Sequence, residues 1–217
     1  MNKSRAYILI TFIVILLSSC SSSIDDFGVY LNYLAKIDNG LVKEKAVAGI
    51  QMKIKYLPND YLVYNELKGN KAITSTMIDN VKASYNNTIT FMMIMGPDKE
   101  ESFDITRVGV VDYQEFAQRL EEMNFSMKQY VNLSINGKEY YPELAQMEST
   151  YGLEQNRKIL FVFKAIDEEG NKILNNDFQF VYADELFNTG INKFKFKLDD
   201  INKMPAFNFK MLLQEKK

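Results

Sequence analysis

Apolar positions divide the chain into a leader and a body of short, patterned segments. Ala6 to Leu17 is apolar apart from Thr11 and follows two positive residues, Lys3 and Arg5. From Gly49 the period is two. Ile50, Met52, Ile54 and Tyr56 alternate with Gln51, Lys53 and Lys55, which predicts a strand with one face in a core. Thr88 to Met95 (TITFMMIM) and Lys158 to Ala165 (KILFVFKA) are apolar almost throughout. Runs this short and continuous predict strands buried on both faces. Val131, Leu133 and Ile135 alternate up to Asn136-Gly137, and Lys138 to Tyr141 returns. Asn-Gly suits a type I′ hairpin turn, because both central residues need positive φ. Asp177 to Ala183 sets Phe178, Phe180 and Tyr182 on one face, and Phe194, Phe196 and Leu198 alternate with Lys193, Lys195 and Lys197.

Helical signals are fewer and concentrate in the first half. Tyr61 to Lys68 reads as a short helix capped by Asn59 or Asp60 and closed by Gly69. Its many apolar positions leave little polar face, so it is expected to lie against the sheet. Ile73 to Tyr85 predicts a second helix. Asp112 and Glu115 have capping-box spacing and open a helix to about Met123, with Tyr113, Phe116, Ala117, Leu120 and Met123 at helical spacing. Phe27 to Lys36 fits a short helix or an edge strand, and Asp38-Asn39-Gly40 a turn. Phe207 to Leu213 fits an edge strand or a helical tail. The second half is strand-rich and lacks the strand–helix alternation of a parallel sheet. The expected fold is mainly β with helical insertions (α+β), an antiparallel β-sandwich that is immunoglobulin-like in the broad sense. A mixed sheet with helices on one face is the alternative.

The leader changes the picture most. Its apolar run is the length of a signal-peptide core and short of the roughly 20 residues of a bilayer span. It ends in Leu17-Ser18-Ser19-Cys20, and Cys20 is the only cysteine of the chain. This motif resembles the lipobox of bacterial lipoproteins, in which the cysteine carries a thioether-linked diacylglycerol. The resemblance implies a signal peptide over 1–19, a lipidated Cys20 and tether over 20–28, and one globular domain over 29–217. Ser21 in place of aspartate favours the outer membrane in the enterobacterial pattern. Ser22-Ser23-Ile24-Asp25-Asp26-Phe27 is similar to the acidic export signal of surface lipoproteins in Bacteroidota, interrupted by Ile24. A solvated linker accounts for it equally well, so both the periplasmic face and the cell surface stay open. Several acyl chains hold firmly where one holds weakly.

Composition then removes function classes. The 217 residues carry a net charge of −2, and loss of Lys3 and Arg5 makes the body more acidic. Nothing in that balance invites nucleic acid. With 47% hydrophobic residues the chain can bury a real core, and with no second cysteine that core must hold without a disulfide. The chain has no histidine. Ser-His-Asp and Cys-His catalysis and the commonest zinc ligand are therefore excluded. No phosphate loop or dinucleotide fingerprint occurs, and no cofactor or metal is expected. What remains is acidic. Asp184-Glu185, beside Leu186-Phe187, reads first as a turn between strands; as the alternative it is a pair whose pKa apolar surroundings would raise, and two carboxylates at the right separation cleave glycosidic bonds. Asp98, Glu100, Glu101 and Asp104 read first as a solvated loop; as oxygen ligands for calcium they lack the spacing of a known loop. Ser126 and Lys128 form no recognised dyad.

Thirteen tyrosines and fifteen phenylalanines with no tryptophan make aromatic recognition the other candidate chemistry. Tyr140 and Tyr141, just after the hairpin turn, are the leading candidates for an exposed binding pair. Tyr61 and Tyr64 are second, and core packing is the competing role for all four. The stretches KIDNGLV (36–42), YLPNDYLVY (56–64), YGL (151–153) and DELFNTGINKF (184–194) resemble a group of uncharacterised lipoproteins from Bacteroidota. That resemblance speaks to location and attaches no activity. The expected function is a non-catalytic binding, adaptor or assembly module of the cell envelope, with the membrane as partner through Cys20 and an envelope protein or glycan as ligand. A carboxylate-dependent glycan hydrolase and an inhibitor or immunity lipoprotein are the alternatives.

Overall fold

Two antiparallel sheets face each other across a core of phenylalanine, methionine and isoleucine side chains, as expected of a β-sandwich. The computed structural model describes residues 23–98, 104–149 and 154–214. The first strand is β1 (Ser23–Ile24) and the first helix α1 (Phe27–Ala35). One sheet is ordered β2 (Val42–Val47), β3 (Ile50–Leu57), β4 (Thr88–Pro97), β8 (Arg157–Lys164) and β7 (Leu144–Met147). The other is ordered β10 (Gly190–Phe196), β9 (Phe178–Asp184), β5 (Val131–Ile135) and β6 (Lys138–Tyr140). A parallel pairing of β1 with β11 (Ala206–Phe207) stands apart. The remaining helices are α2 (Asn59–Leu67), α3 (Ser75–Tyr85), α4 (Tyr113–Phe125), α5 (Leu198–Asn202) and α6 (Lys210–Gln214).

Register explains the core. Phe91 sits opposite Tyr56 on one side and Phe161 on the other, and Met93 opposite Ile54 and Ile159. Their side chains leave the sheet on the same side because strand positions two apart share a face. Phe178, Phe180, Phe194 and Phe196 come from the opposing sheet to meet them. The Phe91 ring lies 5.4 Å from Phe180 and Phe196, 5.5 Å from Tyr56 and 5.9 Å from Phe178, mostly edge to face. A second core gathers Tyr30, Leu34, Val63, Leu67 and Ile78 from the helices, Phe207 from β11, and Leu41 and Phe209 from the segments between elements. Tyr56 and Ile201 touch both cores.

Several expectations are corrected. Ser23 to Gly28 belong to the fold and not to a tether: β1 is paired with β11, and Phe27 stacks on Tyr64 at 3.4 Å between ring centroids. The α2 helix begins after Pro58 without a side-chain cap. Asn59 instead donates to the Tyr85 carbonyl, and the Asp60 carboxylate accepts the Phe207 N–H. The helix packs against α3 and β11, because the small helical core takes the apolar residues expected to cover the sheet. The α4 capping box forms at Asp112, with Glu115 reaching back to the Val111 N–H. Of its five spaced apolar residues only Met123 is buried, and Tyr113 is 81% exposed. Strand β2 was not anticipated, since Lys43, Glu44 and Lys45 break any alternation. Lys43 and Lys45 pair with Ile54 and Met52 and so point to the core side of an edge strand, a device that also deters edge-to-edge pairing.

The Asp38-Asn39-Gly40 turn is present, with Gly40 at φ +76°. A Cβ there would lie 2.0 Å from Asp200 Oδ2 and 2.8 Å from its Cβ. Gly40→Ala is therefore expected to lose about 1–2 kcal/mol from the left-handed backbone alone, and more from the clash. A lowered urea midpoint at unchanged slope would record it.

Candidate binding cleft

The Asn136-Gly137 hairpin sets the cleft's position. Both turn residues have positive φ, +50° and +80°, as the type I′ reading requires. The returning strand β6 places Tyr140 opposite Leu133, half-buried against the core, while Tyr141 is 55% exposed. Facing them is the loop after β8. Asp167 ties that loop into a fixed turn: its carboxylate accepts the N–H groups of Glu169 (3.0 Å) and Asn171 (2.8 Å), and Gly170 takes φ +83°. Between hairpin and loop lies a cleft of about 380 Å³. Ile166 is its exposed apolar side chain, with Phe163 and Ile173 buried at the base, and Lys138, Glu139, Glu143, Lys164 and Asp167 form its charged rim.

The rim charges are mutually arranged. Lys138 Nζ lies 5.1 Å from the Tyr140 ring centroid and 3.8 Å from Asp167 Oδ2. Lys164 pairs with Glu143 at 3.1 Å, and the Tyr141 hydroxyl donates to Glu139 Oε2 at 2.9 Å. The neighbouring Tyr140 phenol, then Asp167 and Glu169, raise the Lys138 pKa. The backbone N–H of Asn171, then that of Glu169, lowers Asp167. The hydrogen bond to Glu139 raises Tyr141. Each of these groups is thus held more firmly in its ordinary charge state at neutral pH.

Asp184 is a different kind of centre: it organises a turn between strands, the first of its two readings, and the raised pKa of the catalytic alternative is not found. The side chain is buried and accepts from five donors: Tyr182 Oη (2.6 Å), the N–H groups of Leu186 (2.9 Å), Phe187 (3.0 Å) and Thr189 (2.7 Å), and Thr189 Oγ1 (2.6 Å). Burial alone would raise the carboxyl, but the bonds from Thr189, Tyr182 and the backbone outweigh it, so its pKa is lowered. The network continues through fully buried Asn192, which donates to Thr189 Oγ1 and accepts from Lys45 Nζ. Glu185 points to solvent. The pair therefore does not converge, and Asp184 ties the β9–β10 connection together.

The other candidates disperse. Tyr64 is stacked on Phe27 and edge-on to Phe207 in the helical core. Tyr61 borders a smaller depression of about 180 Å³ with Leu31, Lys55 and Leu57. Neither tyrosine lines the Tyr140–Tyr141 cleft. Of the acidic residues at 98–104, Asp104 is committed to Arg157 and to Thr106, while Glu100 and Glu101 lie outside the described residues. Among the described residues no three histidine, cysteine or carboxylate side chains are placed to hold a metal ion. Cys20, its leader and the YGL stretch lie outside the described residues. The loop 166–169 was missed as part of the site. Its acidic run was visible in the sequence, but its meeting with β6 is a long-range contact.

No protein-family model matches the chain, and no curated protein matches it. A solved structure of a protein of unknown function from Burkholderia pseudomallei is similar over 82% of this chain and 87% of its own, at 9% identity and a TM-score of 0.40. Among the described residues no helix is long and apolar enough to cross a membrane.

Proposed function

We propose that this chain is a non-catalytic binding module of the cell envelope, anchored at the outer membrane through lipidated Cys20, whose Tyr140–Tyr141 cleft takes a glycan. The observation that carries the reading is the cleft itself. An exposed tyrosine and a half-buried one border apolar surface inside a rim of both charge signs. Tyrosine rings suit the apolar faces of sugars, and fixed carboxylates and ammonium groups suit their hydroxyls. Acid–base catalysis works best with a group poised near the ambient pH. The shifts at Lys138, Asp167 and Tyr141 all run away from neutrality. Asp184, the acid on which a hydrolase would rest, has its acceptor sites filled by the fold.

Calorimetric titration with soluble cell-wall glycan fragments tests the cleft. Tyr141→Ala is expected to weaken binding about tenfold, which is roughly 1.4 kcal/mol, at unchanged melting temperature. Wild-type protein that takes up no envelope glycan would remove the glycan assignment. Cys20→Ala tests the anchor separately: the acyl mass should vanish, and the protein should leave the membrane fraction.

A further inference from the structure

The described chain begins three residues after Cys20, already locked into the fold. Ser23 pairs with Ala206 and Ile24 with Phe207, and the Asn208 N–H bonds the Ile24 carbonyl at 2.9 Å. Three residues span at most about 10 Å. A diacylglyceryl group on Cys20 sits at the boundary of headgroups and acyl chains, and the headgroup layer of one leaflet is roughly 5–7 Å thick. The lipid therefore cannot hold the body at a distance. Whatever surface surrounds β1 must meet the headgroups.

The charges of that surface lie at its edges, at Asp25 and Asp26 before α1 and at Lys36 and Asp38 beside Ile37, and the helix between them has none. None of the nine residues of α1, FGVYLNYLA, is ionisable as acid or base at neutral pH. Val29 and Leu31 on α1, Ile37 just after it, and Met211 and Leu213 on α6 are all exposed. Leu31 shares its depression with Tyr61 and Lys55. The Tyr61 ring is 6.3 Å from Phe27, three residues beyond Ile24. Burial, then Lys53 and Lys158, lowers the Lys55 pKa. Lys55 makes no salt bridge among the described residues, whereas its neighbours Lys53 and Lys158 pair with Glu44 and Glu154, so its ammonium is the one left to meet a phosphate. Apolar side chains with a tyrosine and a lysine are the composition of a membrane interface.

We propose that the helical layer around β1, with Leu31, Ile37 and Met211 at its surface, lies directly against the phospholipid headgroups. This rests on the lipidation of Cys20 proposed above. The Tyr140–Tyr141 cleft belongs to the sandwich, apart from this layer.

The test uses the lipidated full chain in phosphatidylethanolamine–phosphatidylglycerol vesicles. Acylation occupies the native thiol, so Leu31→Cys, Ile37→Cys and Met211→Cys each offer one site for a spin label, with Ile191→Cys on the sandwich as control. Circular dichroism matching wild type confirms that each labelled protein is folded. Labels at 31, 37 and 211 are expected to collide more with lipid-dissolved oxygen than with a water-soluble nickel chelate, and the label at 191 the reverse. Labels at 31, 37 and 211 as open to the chelate as the one at 191, with the diacylglyceryl mass intact, would overturn the proposal and leave the anchor standing. Shielding from both reagents would also overturn it, since a protein partner then covers the face. A chain without the acyl mass would overturn the anchor and this inference together.

Discussion

Asp184→Asn is expected to destabilise the folded body by about 2–4 kcal/mol at neutral pH, with the deficit shrinking as pH falls below about 4. The carboxylate accepts five hydrogen bonds at a position only 9% exposed. An asparagine keeps the shape but turns an NH₂ group toward donors. At least two of Tyr182 Oη, Thr189 Oγ1 and the three N–H groups then lose their partner, and each buried unsatisfied group costs about 1–3 kcal/mol. The pH dependence follows from the lowered folded-state pKa. A depressed carboxylate contributes stability that is complete above its unfolded value, about 3.9, and is lost as pH drops through the folded value. Wild type should lose this contribution on acidification, whereas the variant has none to lose. Urea unfolding of both proteins between pH 3 and pH 7 measures the converging difference. A difference that stays constant across that range would contradict the assignment of the lowered pKa to Asp184.

The same residue shows how far the sequence could be read. Asp184 lies in a stretch singled out for its resemblance, and its apolar neighbours Leu186 and Phe187 suggested a raised pKa. Apolar neighbours were the right observation, since both side chains are buried. Their effect was misjudged because the donors include backbone N–H groups, which every sequence carries and none displays. The strands with clean patterns were legible: β3, β4, β5, β8 and β9 lie close to where periodicity put them. β2 was not, because its core-facing positions are lysines whose long stems reach past the sheet edge toward Phe196 and Asn192. Tyr140 and Tyr141 were found as a local feature of a hairpin. The loop opposite them came together only through the pairing of β5 with β9, 178 onward in the chain. Tyr61 and Tyr64 fell the other way: on a helix with little polar face, their rings were taken up by the helical core and its margin.

Phe91→Ala should destabilise the protein by about 3–5 kcal/mol, the range for emptying a large aromatic site from a close-packed core. Phe91 is the ring at which the sheets meet, with Phe178, Phe180 and Phe196 from one, Phe163 and Tyr56 from its own. Substitution removes edge-to-face contacts on several sides at once. Phe91→Leu keeps most of the volume and should lose clearly less. The cavity is expected to matter for binding as well as for stability. Phe163, buried at the base of the cleft, leans edge-on against Phe91 at 6.1 Å. A Phe163 released from that contact no longer holds the base of the cleft fixed, so ligand affinity should fall in Phe91→Ala even where the variant remains folded. Urea unfolding gives the stability loss, and titration at a temperature where both proteins are folded gives the affinity. A variant destabilised as expected but binding with wild-type affinity would separate the cleft from the core and locate recognition in the rim alone. A loss below about 1 kcal/mol would mean that the sheets do not depend on this ring for their packing.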